Sequence, residues 1–277
     1  MTTQTPLQTI YTNLPNRKGL QQIWVKRDDL FELGGAYGGK VRACDAIINA
    51  PVDPSATANL FSEVPTEVRG LVTASSRKSP QAQIVARLGQ HYKLPTRLHM
   101  PAAKGPNTHE MDDIIKRSGE LVQHRPGHNT VIIRRAKDDA EERGWLYIPF
   151  GMEHPVAIEA TATQLENVTD DCNRIVMAVG SGMSLAGVLR GCREWAWDVP
   201  IVGVVVGADP TKRLDKYAPG WRRQVTLVDS HCDYHETCTD RVADIELDPI
   251  YEAKVVRHLK PGDCFWVVGI RTNASGN

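Results

Sequence analysis

A lysine that opens a helix behind a glycine-rich loop is the first place where this sequence suggests chemistry. The segment Lys26-Arg-Asp-Asp-Leu-Phe-Glu-Leu-Gly-Gly-Ala-Tyr-Gly-Gly-Lys-Val-Arg42 reads as a strand, a loop and a helix start, with Lys40 at the junction. Glycine lets backbone approach a ligand and adopt positive φ. A desolvated ammonium gives up its proton more readily, and the free amine condenses with a carbonyl as a Schiff base. A cation is mildly disfavoured at a helix N-terminus by the dipole, so chance placement is a weaker explanation for Lys40. The spacing Gly34-x-x-x-x-Gly39-Lys40 also approaches a nucleotide-binding P-loop. Val41 stands where that motif needs a hydroxyl for magnesium, and the run before Gly34 is charged, so most of that mechanism is missing.

A second glycine loop follows the apolar strand Arg174 to Ala178 and runs Val179-Gly180-Ser-Gly-Met-Ser-Leu-Ala-Gly187. A Gly and Ser loop at a helix N-terminus offers free N–H groups and the positive end of the dipole to a phosphate. Leu185 occupies the place of the third glycine in a dinucleotide fingerprint, so that reading does not apply. A third cluster, His231, Cys232, His235 and Cys238, has the ligand types for zinc. Its interleaved His-x3-His and Cys-x5-Cys spacing departs from the paired-Cys plan, so a metal there is only a weak candidate. His99, His109, His124 and His128 have no constellation around them and are expected at the surface.

These residues need a scaffold, and the pattern supplies one. Short β-rich runs at 23–26, 70–73, 97–100, 145–149, 174–178, 201–206 and 264–268 alternate with helical patterns at 40–49, 80–92, 110–118, 185–195 and 249–259, and through Ala160 and Leu165. That alternation predicts βαβ units and parallel-rich sheets flanked by helices. Residues 51–65 read as a connection, and 209–245 as a polar, irregular excursion over an active site.

Composition narrows the function classes. Lys plus Arg and Asp plus Glu each total 33 in 277 residues, so net charge gives no footprint for nucleic acid or an anionic membrane. No apolar run approaches a membrane span or a signal peptide, so a cytoplasmic protein is expected. The six cysteines are scattered in a way that suits reduced, partly buried thiols.

Taken together and in order, the motifs resemble the fold type II pyridoxal-phosphate enzymes, the tryptophan-synthase-β-like group, and within it the aminocyclopropanecarboxylate deaminase and D-cysteine desulfhydrase branch. Thr5-Pro6-Leu7 is similar to the family's TPL, Lys26-Arg27-Asp28-Asp29-Leu30 to KREDL, and Gly38-Gly39-Lys40-Val41-Arg42 to GGNKxRK. Gly180 to Gly187 resembles the phosphate loop GSGGTxAG, and Leu247 to Lys254 resembles LDPVYxGKA. The resemblance implies a two-domain α/β fold, with residues 1–50 and 150–277 forming a large cofactor domain, 51–149 a smaller α/β domain, and the active site in the cleft between them. It implies pyridoxal 5'-phosphate on Lys40, with Gly180, Ser181, Gly182, Met183 and Ser184 around the phosphate. Ser75 and Tyr251 are implied in catalysis, and Ser75, Ser76 and Arg77 at the substrate.

The expected reaction is deamination or β-elimination of a small or unusual amino acid by a homodimer. Decarboxylation or racemisation, including on an amino acid carried by a modified nucleoside or DNA base, is the alternative chemistry. Cofactor binding without turnover is a third reading. Two departures motivate these alternatives: Gly39 replaces the family's asparagine, and Gly269-Ile-Arg-Thr272 replaces the HTGG segment beside the pyridine nitrogen, with Thr272 as a substitute partner.

Overall fold

The computed structural model describes residues 4–15, 17–50, 67–77, 79–102, 109–117 and 119–270, with side chains from Met111 in the fifth stretch. The chain divides into two compact units, one of Met1–Glu32, Tyr37–Ala43 and Ala157–Thr272, the other of Leu33–Ala36, Cys44–Val156 and Asn273–Asn277.

The strands, in chain order, are β1 (Leu7–Asn13), β2 (Leu20–Arg27), β3 (Glu32–Leu33), β4 (Ala36–Tyr37), β5 (Leu71–Ala74), β6 (Thr96–Pro101), β7 (Gly119–His124), β8 (Leu146–Ile148), β9 (Arg174–Val179), β10 (Ile201–Val205), β11 (Val225–Asp229) and β12 (Asp263–Val267). The α-helices are α1 (Gly39–Ile48), α2 (Gln81–Tyr92), α3 (His109–Lys116), α4 (Asn129–Arg143), α5 (Pro155–Ala162), α6 (Met183–Glu194) and α7 (Thr211–Tyr217).

The first unit carries a six-stranded sheet in the order β1-β2-β12-β9-β10-β11. Every neighbouring pair is parallel except the β1–β2 hairpin at one edge. Ile175 to Val179 in β9 and Cys264 to Val267 in β12 are all buried, as continuous apolar runs in a doubly covered parallel sheet should be. One face packs α6 through Leu185, Val188 and Leu189, and the other packs Val255 and Val256 of the 3-10 helix Glu252–His258. The second unit carries the all-parallel sheet β7-β6-β5-β8. There Ile132, Ala136 and Ala140, at i, i+4 and i+8, turn one stripe of α4 onto Val72 and Ala74. The parallel-rich α/β architecture expected from the alternation is present.

The differences have physical causes. Strand β7 and helix α4 escaped the sequence reading because α4 is polar apart from its narrow alanine stripe. The stretch 209–245 is not irregular throughout, since it contains α7 and the parallel strand β11. The helix expected at 249–259 is a shorter 3-10 segment, Glu252–His258. The six cysteines are free, with Cys44, Cys172, Cys192 and Cys264 buried. Among the described residues, no helix is long and apolar enough to cross a membrane.

His99 and His124 also correct the expectation of surface histidines. His99 is 3% exposed, with Nε2 2.8 Å from Asp139 Oδ2 and Nδ1 2.9 Å from Nε2 of His124. Arg97 and Arg143 donate to the same carboxylate at 2.6 and 2.9 Å. Burial pulls His99 below the usual imidazole range despite Asp139. Burial, then His99 and Arg135, pull His124 the same way. Because both folded values lie below the unfolded one, the unfolded chain takes up protons first as pH falls. Their contribution to stability is present above about pH 6.5 and is lost as pH falls through the folded values. Melting temperature is therefore expected to drop as pH falls from 7.5 toward 5, less so in His99→Gln; a flat wild-type profile would refute this.

Candidate active site

In parallel sheets, ligands bind beyond the carboxyl ends of the strands, and that end of the six-stranded sheet gathers the residues with chemistry. Lys40 is the second residue of α1, on a turn clamped to the ends of β2 and β12. The Gly39 N–H donates to Val268 O at 2.7 Å. Gly38 has φ +106°, and a Cβ there would lie 2.9 Å from Gly269 Cα, so the turn closes only without a side chain. A Cβ on Gly39 would run into the Asp28 carboxylate. Asp28 is itself fixed, accepting from Arg42 Nη1 and Nη2 at 2.6 and 2.7 Å, from Thr5 Oγ1 at 3.2 Å and from Trp266 Nε1 at 3.3 Å.

The turn carries half-buried Lys40 to Tyr251, with Nζ 5.3 Å from the ring centroid. Tyr251 reaches the second glycine loop, where a Cβ on Gly180 would stand 3.1 Å from its Cε1. Its hydroxyl lies 3.1 Å from that of Tyr234, in the segment after β11. Gly182 caps α6 with φ +87°, and its carbonyl accepts from the Ala186 N–H at 2.9 Å. The first-turn N–H groups of α6 then point out of the helix, beside Ser181 and Ser184. A short Gly and Ser loop leading into a helix N-terminus forms a cradle that fits a phosphate.

Glu252 joins this group and was not singled out by the sequence reading. It is buried, accepts from the Gly269 N–H and lies within the field of Lys40. Burial, then the neighbouring Asp248 carboxylate, hold its carboxyl well above the usual glutamate range. The available signal was its place directly after Tyr251 in a matched motif.

Ser75, Ser76 and Arg77 lie in the other unit, in the loop that follows β5. Ser75 is buried, its N–H donates to His99 O at 3.0 Å, and its hydroxyl donates to Ser76 O at 3.0 Å. Gln81 braces the neighbouring loop, donating to Thr73 Oγ1 and Pro149 O at 2.8 and 2.9 Å and accepting the Gly151 N–H at 2.7 Å. Thr272 lies outside the described residues. In the zinc candidate cluster, the Cys232 and Cys238 sulfurs are 3.4 Å apart, His231 stacks on His258 and His235 packs edge-on to Tyr234. Among the described residues, no group of three or more His, Cys, Asp or Glu is arranged to hold a metal.

Comparison with known proteins bears on the same residues. The family model for "pyridoxal-phosphate dependent enzyme" matches residues 2–255. The chain belongs to this family. A putative 1-aminocyclopropane-1-carboxylate deaminase of Thermotoga maritima is 25% identical over 91% of the chain and 87% of its own length. An L-serine dehydratase/L-threonine deaminase of Bos taurus is 36% identical, but over only 28% of this chain and 25% of the bovine protein. The crystal structure of an aminocyclopropanecarboxylate deaminase homologue superposes with a TM-score of 0.74 at 21% identity, covering 96% of this chain and 89% of that one. Maize serine racemase gives 0.62 at 16% identity, covering 92% and 84%. The fold is therefore fold type II, and pyridoxal 5'-phosphate is the cofactor of this pyridoxal-phosphate-dependent enzyme.

Proposed function

We propose that Lys40 is the residue that carries pyridoxal phosphate, and that the enzyme is a deaminase or β-eliminating lyase acting on a small or unusual amino acid. The observation that carries this reading is the convergence of Lys40, Tyr251, Glu252 and the Gly180 to Ser184 loop beyond one set of strand ends. The N–H groups at the start of α6, with Ser181 and Ser184, would hold the phosphate. When bound, the cofactor supplies an electron sink for charge developing at the substrate's Cα.

The chain's own residues would do the rest. Lys40, once its amine is free, takes and returns the proton at Cα. Tyr251 protonates or contacts the leaving group, with its hydroxyl oriented by Tyr234. Ser75, Ser76 and Arg77 receive the substrate carboxylate, and Ser75 assists proton movement. Glu252 would take the role left open by the altered terminal segment: it accepts from the N–H of Gly269, the first residue of that segment, and as a carboxyl it would exchange a proton with the ring nitrogen and so strengthen the electron sink. This favours a working electron sink over binding without turnover. Homodimerisation and a cytoplasmic location complete the proposal.

The test is borohydride reduction of the protein loaded with pyridoxal phosphate, followed by peptide mapping. A pyridoxyl label on Lys40, absent from Lys40→Ala, is expected; a label on another lysine, or none, would sink the assignment. The reaction is then read by screening 1-aminocyclopropanecarboxylate, D-cysteine, L-serine and L-threonine for ammonia and 2-oxo acid release. Carbon dioxide or an inverted substrate would instead identify decarboxylation or racemisation. Glu252→Gln is expected to keep the label and lose on the order of 10²-fold in turnover, the low end for a positioned proton-exchanging group. Unchanged turnover would remove Glu252 from the site.

A further inference from the structure

The first unit has a second concave site, around the starts of the strands rather than their ends. A groove of about 560 Å³ is lined by Pro15 and Arg17 of the β1–β2 turn, Arg174 at the start of β9, Val202, Thr226 and Val228 of β10 and β11, and the run Arg257 to Lys260. Its volume is within the range of small-molecule pockets. In a chain with equal numbers of acidic and basic residues, this lining has four Arg or Lys side chains and a histidine, and no carboxylate.

The nearest acids neutralise only one of these charges, that of Arg174. Asp263 is buried and committed, accepting from Arg174 Nε and Nη2 at 2.7 and 2.8 Å and from the Lys260 N–H at 2.6 Å. Arg174 is thereby fixed, and it also donates to His258 O at 2.7 Å. Asp229 is highly exposed and 3.9 Å from His231. Arg17, Arg257 and Lys260 are exposed and have no carboxylate partner within ion-pair distance among the described residues. Nε2 of His258 is buried and has no hydrogen-bond partner among the described residues, which is costly unless a ligand supplies one. Unpaired like charges from two separate stretches, confined within a distance on the order of a Debye length, repel one another until an anion enters. Pro15, Val202, Val228 and Leu259 offer apolar surface beside them.

We propose that this groove binds a small polyanion carrying a diphosphate or triphosphate group, held by Arg17, Arg257 and Lys260 with His258 Nε2 as a buried hydrogen-bond partner. The site is separate from the cofactor cradle but mechanically joined to it. One 3-10 helix begins directly after Tyr251 and ends at His258, and His258 stacks on His231, three residues before the Tyr234 that contacts Tyr251.

The experiment is calorimetric titration of the cofactor-loaded protein with inorganic pyrophosphate and, separately, ATP at constant ionic strength, because the loaded cofactor already occupies the phosphate loop. Saturable binding is expected, weakened at least about tenfold in Arg17→Glu/Arg257→Glu, two exposed positions whose replacement should leave the cofactor's visible spectrum unchanged. Equal affinities would assign the phosphate group alone, and tighter ATP binding would assign a nucleotide. No saturable binding of either probe, or binding that survives the double substitution with the spectrum intact, would overturn the proposal.

Discussion

Lys40→Ala is expected to lower turnover at least about 10³-fold, because one side chain is assigned two separate tasks. The first is the covalent attachment of the cofactor, and the second is movement of the proton at the substrate's Cα. Removing either alone would leave the other; alanine removes both. The loss should fall on kcat rather than KM, since the α6 loop and the serines proposed to hold the phosphate and the substrate carboxylate are untouched. The check is steady-state release of ammonia and 2-oxo acid from whichever amino acid the wild type turns over. Added methylamine, a mobile primary amine, should restore part of the rate to the alanine variant. A variant that keeps more than a tenth of wild-type kcat would show that another base works on the substrate.

Asp28→Ala is expected to cost about 3–5 kcal/mol of stability, the usual penalty for leaving a buried charge without its partner. Arg42 and Asp28 are each only 1% exposed and pair through both terminal guanidinium nitrogens, Nη1 and Nη2. Arg42 Nε is bonded to Ala160 O at 3.0 Å, so the guanidinium cannot swing out to water cheaply. Trp266 and Thr5 would also lose an acceptor. Urea unfolding of the protein, followed by Trp fluorescence, measures the loss. Asp28→Asn, which keeps an oxygen but not the charge, should retain part of it. A loss below about 1 kcal/mol for the alanine variant would mean that water reaches the pair.

The legible parts of the fold were those written as continuous apolar runs or in glycine. Strands β9, β10 and β12 are apolar apart from the paired Arg174 and Asp263 at the starts of β9 and β12, because both their faces are covered, and the loops around Lys40 and Gly180 announce close backbone approach. Helix α4 was hidden because three small or branched residues, Ile132, Ala136 and Ala140, suffice to seat it. Strand β11 was hidden because a five-residue, half-exposed edge strand stands out little from the polar segments around it. The residues of the candidate site could be picked out one at a time, but Glu252 could not: its surroundings depend on Gly269 and Lys40, more than a dozen and more than two hundred residues away. His99 shows the same limit from the opposite side, since its partners Asp139 and His124 lie on a helix and a strand that the pattern did not reveal.

The lack of room at Gly39 constrains how this sequence can change. Any side chain there meets a carboxylate already gripped by Arg42, Trp266 and Thr5. To place an asparagine at 39, Asp28 would have to shift first, and with it the buried ion pair. Positions 28, 39 and 42 are thus coupled: a side chain at 39 carries the cost of moving the Asp28–Arg42 pair as well as its own.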